Sequence, residues 1–126
     1  MERATKLAPD DAGFHYDLSL LYGEINRAAD AVTELKETVR LDPRFGRAWY
    51  NLGLSLAAVE KLDDAIDALQ KAGTLMPESP EPPFAMATIF LRQNKKPEAR
   101  TAAESALKIA PDFRNAKQLL EQMGEP

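Results

Sequence analysis

Cysteine is absent from this chain of 126 residues, and histidine occurs only once, at position 15. Without cysteine the chain can form neither a disulfide framework nor a thiolate metal site, so thiols say nothing about its redox compartment. Nucleophilic and general acid–base catalysis need a nucleophile, a base and an orienting group that converge in a pocket. The sequence offers no such set, and we predict no catalytic residue, no metal site and no cofactor.

The few candidates for chemistry have structural interpretations. His15 falls at a predicted helix-packing position, where we expect a hydrogen-bonded, partly buried side chain. The acidic pairs Asp10–Asp11 and Asp63–Asp64 stand at or just before predicted helix starts. Carboxylates there cap free amides and complement the helix dipole. We therefore do not expect an enzyme.

A surplus of basic residues is also lacking, since 16 lysines and arginines face 20 acidic residues for a net charge of -4. Proteins that bind nucleic acid usually carry a basic surplus that displaces counterions from the phosphates. The charge balance therefore argues against a nucleic-acid partner.

Long apolar runs are missing as well. The longest, Phe84 to Leu91, is about half of the roughly 18 residues that a membrane-spanning helix requires, so no membrane span is predicted. Met1 is followed by Glu-Arg-Ala-Thr-Lys and not by an apolar signal core. The cytoplasm is only a default compartment, because we expect upstream sequence, and with it any leader, to be missing.

What the chain does have is an internal repeat of constant length. It is marked by four evenly spaced prolines, Pro9, Pro43, Pro77 and Pro111, and by sets with the same spacing such as Ala31, Ala65 and Ala99. Proline disfavours helix in the residue before it, so each one ends a helical stretch. A fixed period of about 34 residues predicts a stack of repeated helical units.

Each unit is predicted to contain two helices. The first, Phe14 to Ile25 in the first unit, places its apolar residues on one face, namely Phe14, Leu18, Leu21, Tyr22 and Ile25. The second, from about Ala28 to Leu41, turns Ala31, Val32, Leu35 and Val39 inward and Asp30, Glu34, Lys36, Glu37 and Arg40 outward.

The turns and close contacts are predicted too. Asn26 and Asn94 suit a left-handed turn, whereas Glu60 in the same slot predicts a strained or differently shaped one. Gly53 falls where two helices should approach most closely, and Gly73 marks a soft point because glycine weakens a helix. Ser79 is the expected cap of the proline-rich helix that follows.

The middle unit resembles the tetratricopeptide repeat, through Trp49, Leu52, Gly53, Leu56, Ala65, Leu69, Ala72 and Pro77 at the spacings of that signature. The other units share most of these positions, but Trp49 is replaced by His15 in the first and by Pro83 in the third. The resemblance implies an all-α fold, in which antiparallel helix-turn-helix repeats stack as a right-handed superhelical solenoid. It also implies a non-catalytic protein–protein interaction scaffold.

We predict a single domain over residues 1–126. Its parts are the end of a truncated repeat (1–11), three repeats (12–45, 46–79 and 80–113) and a C-terminal capping helix (114–126). A chain that begins in mid-repeat is expected to be the C-terminal part of a longer repeat protein.

The resemblance further implies that the first helix of each unit lines a concave groove that binds a peptide or a helix. The candidate groove residues are Tyr16, Leu20, Glu24, Arg47, Tyr50, Asn51, Leu54, Glu81, Phe84, Thr88, Leu91 and Arg92. Tyr16, Tyr50 and Phe84 recur at the interval of the repeat. They either contact the ligand or brace the neighbouring repeat, and both roles remain open.

One known binding mode of the family is not expected. Repeat domains that clamp the C-terminal carboxylate of heat-shock chaperones use lysines, asparagines and an arginine, whose places here hold Tyr16, Leu20, Asn51, Glu81 and Ala85. Only the asparagine matches.

Two alternatives to a peptide-binding scaffold stay open. They are a structural spacer or self-assembly unit that associates through the truncated N-terminal edge, and the non-catalytic arm of a larger enzyme.

Overall fold

Residues 11–124 are described by a computed structural model, and they form seven helices without a strand. The helices are α1 (Ala12–Glu24), α2 (Ala28–Leu41), α3 (Gly46–Ala58), α4 (Leu62–Leu75), α5 (Glu81–Arg92), α6 (Lys96–Ile109) and α7 (Arg114–Met123). They pack as antiparallel pairs, α1 with α2, α3 with α4 and α5 with α6, and each pair stacks on the next to form a solenoid. The predicted all-α class is confirmed.

The turn inside each pair depends on one residue with a left-handed backbone. Asn26, Glu60 and Asn94 have φ angles of 62°, 67° and 62°, so all three turns share one conformation. The expectation of a differently shaped turn at Glu60 is therefore wrong. The strain remains, because a glutamate side chain tolerates this region less well than asparagine.

The core lies between the two helices of each pair and between neighbouring pairs. Leu35 and Leu69 are among its largest fully buried side chains, and Ala31, Ala65 and Ala99 are buried at the same register. The position of Leu35 and Leu69 is taken in α6 by Ala103, which is also fully buried. The third pair is therefore built around a smaller side chain at this position.

Gly53 marks the close approach of α3 to α4. A Cβ placed on it would lie 2.6 Å from Cγ of Leu69 and 3.2 Å from the carbonyl oxygen of Ala65. Such distances are below ordinary van der Waals contact, so only glycine fits this crossing without a shift of its neighbours. The prediction from the repeat pattern is confirmed.

The apolar face predicted for α1 is not buried as a whole. Phe14, Leu21 and Ile25 are 40%, 57% and 58% exposed, whereas Ser19 is buried. One and two repeats later, the positions of Phe14 are held by Ala48 and Pro82, both buried. This face of α3 and α5 meets the preceding repeat, but no described helix precedes α1, and its face therefore has no described neighbour.

The packing of α1 on α2 corrects a second expectation. Glu34, predicted to face outward, has a side chain only 20% exposed, and its Oε1 lies 2.6 Å from Nδ1 of His15. His15 is itself largely buried, as its position predicts. The histidine draws the carboxylate inward because a buried imidazole nitrogen needs a polar partner.

Side chains cap the start of two helices, and α7 covers the last pair. Asp11 Oδ1 accepts a hydrogen bond from the Gly13 amide at 2.9 Å, and Ser79 Oγ accepts one from the Glu81 amide at 3.3 Å. At the other end α7 buries Ala116 and packs Leu119 and Leu120 against the third pair. The predicted truncated repeat lies outside the described residues except for Asp11, and the repeat bounds stay predictions.

No helix among residues 11–124 is long and apolar enough to cross a membrane.

Candidate functional site: the inner face of the first helices

The candidate groove residues all lie on the first helices of the three pairs. Tyr16, Leu20 and Glu24 are on α1, Arg47, Tyr50, Asn51 and Leu54 are on α3, and Glu81, Phe84, Thr88, Leu91 and Arg92 are on α5. A shared register places them in rows across the stack, since the three helices occupy equivalent positions in consecutive pairs. Their side chains, however, differ in how far they are available to a ligand.

An open hollow of about 210 Å³ lies between α1 and α3. We call it the α1–α3 hollow, and it is lined by Ser19, Leu20, Gly23, Leu35, Asn51, Leu54 and Ser55. Leu20 and Leu54 are 44% and 42% exposed, and they hold equivalent positions in consecutive repeats. Three of its seven lining residues belong to the predicted set, so the structure brings Leu20, Asn51 and Leu54 together.

Sequence reasoning missed the other lining residues of the hollow. Ser19, Gly23 and Ser55 each follow or precede a predicted residue in the sequence, so the same register could have identified them. The floor residue Leu35 carries no such signal, because its contribution depends on how α2 passes beneath the first helices.

Two of the three aromatic residues brace the stack. The ring of Tyr16 packs on that of Phe45 with centroids 4.6 Å apart, and the Phe84 ring meets the edge of Phe113 at 5.5 Å. Phe45 and Phe113 each stand just before the next first helix. Each aromatic pair therefore ties one repeat to the next.

The amide of Asn51 strengthens the first of these ties. Its Nδ2 donates a hydrogen bond to the hydroxyl oxygen of Tyr16 at 3.0 Å. The bond joins α3 to α1 beside the hollow, and it fixes the orientation of both polar groups.

The third aromatic residue, Tyr50, contacts a charged side chain. The guanidinium of Arg47 lies 4.8 Å from the ring centroid of Tyr50, and its Nη1 donates to Glu81 Oε1 at 2.7 Å. Burial raises the pKa of Tyr50, the negative charge of Glu81 raises it further, and Arg47 opposes both. The hydrogen bond to Glu81 raises the pKa of Arg47, which stays protonated.

Arg92 is also occupied within the fold. Its Nη2 donates to Glu60 Oε2 at 2.7 Å and lies 3.4 Å from the carbonyl oxygen of Ala57. Both arginines of the candidate set therefore link α5 to the preceding pair. A ligand would have to compete with these exposed ion pairs, which are individually weak.

The other candidates differ in exposure. Glu24 is exposed and Leu91 is half-buried. Thr88 is half-buried too, and its hydroxyl donates to the Ala85 carbonyl oxygen at 2.7 Å. The most accessible apolar surface of the set is consequently at Leu20 and Leu54, and not along the aromatic row.

Among the described residues no group of three or more histidine, aspartate or glutamate side chains is arranged to hold a metal ion.

The helix pairs and their inner surface define a helical repeat scaffold, and comparison with known sequences identifies its family. Two family models described as tetratricopeptide repeat match residues 16–80 and 56–123. Each match covers more than half of the chain. The chain therefore belongs to the tetratricopeptide repeat family, a family of protein-interaction modules.

A curated relative agrees with this assignment. The small glutamine-rich tetratricopeptide repeat-containing protein 2 of Mycosarcoma maydis is 25% identical over 77 residues. The match covers 61% of this chain and 22% of the relative, so the chain corresponds to a minor part of that protein.

Solved structures show the same fold. The crystal structure of MamA superposes with a TM-score of 0.90 at 26% identity, over 97% of this chain and 71% of that chain. The first repeat domain of Spaghetti (RPAP3), bound to the HSP90 peptide SRMEEVD, superposes with a TM-score of 0.84 at 16% identity. That match covers 91% of both chains.

Proposed function

We propose that this chain is a non-catalytic scaffold that binds a peptide or helix of a partner protein on its inner face, with the α1–α3 hollow as the anchor. The observation that carries the proposal is the pair of exposed leucines at Leu20 and Leu54, which border one hollow beside the amide of Asn51. An apolar pocket with a few polar groups is the usual form of an anchoring site.

The fold supports the same function. The Spaghetti repeat domain holds a peptide, although at 16% identity it supports only what this fold is able to do. The ligand proposed here is mildly apolar and not strongly acidic. Glu81 occupies one of the places where the carboxylate-clamping domains carry a cation, and its carboxylate is already paired with Arg47.

The size of the surface sets the expected affinity. A peptide that buries roughly 400 Å² of apolar surface gains about 10 kcal/mol at ~25 cal/mol per Å². Association costs of about 4 kcal/mol or more leave a net gain of about 6 kcal/mol or less, so we expect a dissociation constant of roughly tens of micromolar or weaker.

The hollow is tested with a selected peptide. A random peptide library displayed on phage is selected on the wild-type chain, and enriched peptides are measured by isothermal titration calorimetry. We expect the double variant Leu20→Ser, Leu54→Ser to lose at least tenfold in affinity. Both leucines are more than 40% exposed, so the variant should fold.

The matched control is Leu21→Ser, Ile25→Ser, which removes two even more exposed apolar side chains that do not line the hollow. It should bind like the wild type. Equal affinity of the hollow variant and the wild type would contradict the proposal. A triple alanine variant of Tyr16, Tyr50 and Phe84 is a poorer test, because two of these rings brace the stack.

The exposed face of α1 supports a second candidate, self-association. Phe14, Leu21 and Ile25 present apolar surface, and the positions of Phe14 in the two later repeats, Ala48 and Pro82, are buried. A second copy that covered this face would build a symmetric dimer. Sedimentation equilibrium should then show a mass that rises with concentration, and Leu21→Ser, Ile25→Ser should abolish the rise. A monomer at high concentration would refute this candidate.

We infer, finally, that the chain performs no catalysis of its own. His15 places its Nδ1 2.6 Å from Oε1 of Glu34, a part-buried contact between α1 and α2 that supports a structural role for the single histidine.

A further inference from the structure

A second groove lies away from the inner face, between α4, α5 and α6. It consists of two open, contiguous cavities of about 440 and 520 Å³ that share Gln70, Pro83, Met86 and Ser105. We call it the α4–α6 groove. None of its lining residues belongs to the candidate set of the inner face, so it is a separate surface.

The repeat register explains why this groove is open. Pro83 stands one repeat after Trp49, and Ser105 stands one repeat after Lys71. In the second pair the Trp49 indole Nε1 donates to the Pro43 carbonyl oxygen at 2.8 Å, and Lys71 Nζ lies 5.2 Å from the Trp49 ring centroid. The second pair therefore carries an indole where the third has Pro83, and an ammonium group where the third has Ser105.

The third pair replaces both of these side chains by smaller ones. Proline lacks most of the volume of an indole, and serine lacks both the length and the charge of lysine. The apolar surface beside them remains, since Met86 and Phe90 line the groove and are only half-buried. Apolar surface thus remains at the place where the second pair holds an indole.

The groove also has a charge preference. Across both cavities Glu98 is the single charged lining residue, and it is exposed at the edge of the groove. A cationic group next to an inserted ring would therefore find an acidic partner, at a place where Lys71 supplies the cation one repeat earlier.

We propose that the α4–α6 groove binds a tryptophan side chain of a partner protein, followed or preceded by a lysine or arginine. The ring packs on Pro83, Met86 and Phe90, where methionine and aromatic groups make favourable contacts with an indole. The basic residue pairs with Glu98. A second copy of this chain is a poor source of the ring, because its single tryptophan, Trp49, is already hydrogen-bonded to the Pro43 carbonyl oxygen.

The test uses two short probes, the blocked tripeptides Lys-Trp-Lys and Lys-Ala-Lys. The chain contains four methionines, so a ¹³C-methyl methionine spectrum is simple enough to follow Met86. We expect a saturable shift of the Met86 methyl signal with the tryptophan peptide at roughly millimolar concentration, as befits so small a ligand. The alanine peptide should leave the signal in place.

Two variants separate the groove from other surfaces. Glu98→Lys reverses the one charge that lines the groove, and should weaken binding of the tryptophan peptide at least fivefold. Pro83→Trp supplies the ring from the chain itself and should abolish binding. Its matched control is Lys117→Trp, which adds an indole at the same register of α7, on an exposed position; this variant should bind normally.

Binding at the α4–α6 groove can be distinguished from binding at the α1–α3 hollow. Leu20→Ser, Leu54→Ser should leave the Met86 response unchanged, whether or not it abolishes binding of the selected peptides. Equal shifts with both tripeptides, no shift at Met86, or full binding by Glu98→Lys would overturn the inference. A Met86 shift that depends on protein concentration without any peptide would overturn it in favour of a second copy.

Discussion

Two glycines in the second pair, Gly53 and Gly73, should respond in opposite ways to the same substitution. Both lie inside helices, where alanine is favoured over glycine by about 1 kcal/mol. At Gly73 the new Cβ would meet only Cβ of Pro82, at 3.8 Å, which is ordinary contact. Gly73→Ala should therefore raise the free energy of unfolding by about 1 kcal/mol.

At Gly53 the same methyl group has no room. Its Cβ would lie 2.6 and 2.9 Å from two carbons of Leu69, and 3.2 Å from a backbone oxygen. Leu69 is fully buried and cannot turn aside. Overpacking of this kind costs about 1–3 kcal/mol, which exceeds the propensity gain. Gly53→Ala should lower the free energy of unfolding by about 1–2 kcal/mol.

The assay is urea denaturation followed by circular dichroism at 222 nm, with thermal melts as a second measure. For a chain of this size about 1 kcal/mol corresponds to roughly 4 °C in melting temperature. The two variants should differ by about 2–3 kcal/mol, in opposite directions from the wild type. If Gly53→Ala proved as stable as the wild type, the close approach of α3 to α4 would be refuted. If Gly73→Ala lost stability, the open space beside Pro82 would be refuted.

The remaining predictions concern single side chains. Because burial raises the pKa of Tyr50, the folded state keeps the phenol proton where the unfolded chain loses it. The free energy of unfolding should thus fall as the pH rises above about 10. In Tyr50→Phe it should fall less steeply, and absorbance at 295 nm should show one tyrosine fewer among those that titrate late. Glu60→Asn should change stability by less than about 1 kcal/mol in urea denaturation, since relief of the left-handed strain offsets the lost ion pair to Arg92. A loss of several kcal/mol would show that this ion pair matters far more than its exposure suggests.

The candidate site was predictable only in part. The row of Leu20 and Leu54 follows from the period and the helical register, and the structure places both beside one hollow. The row of Tyr16, Tyr50 and Phe84 has the same period, yet two of its members pack on Phe45 and Phe113. Periodicity identifies the face of a helix, but it does not show whether a ring on that face meets a ligand or the next repeat.

The sequence by itself determined the repeat length, the two helices of each unit and the left-handed turn residues, because these depend on local properties of proline, asparagine and helical periodicity. It also indicated where helices pass closely, through Gly53. Only the tertiary structure decided that Glu34 turns inward to His15, that both arginines of the inner face are paired, and that the replacement of Trp49 and Lys71 by Pro83 and Ser105 leaves a groove. Each of these outcomes depends on side chains far apart in sequence, and their distances are set by how one repeat stacks on another.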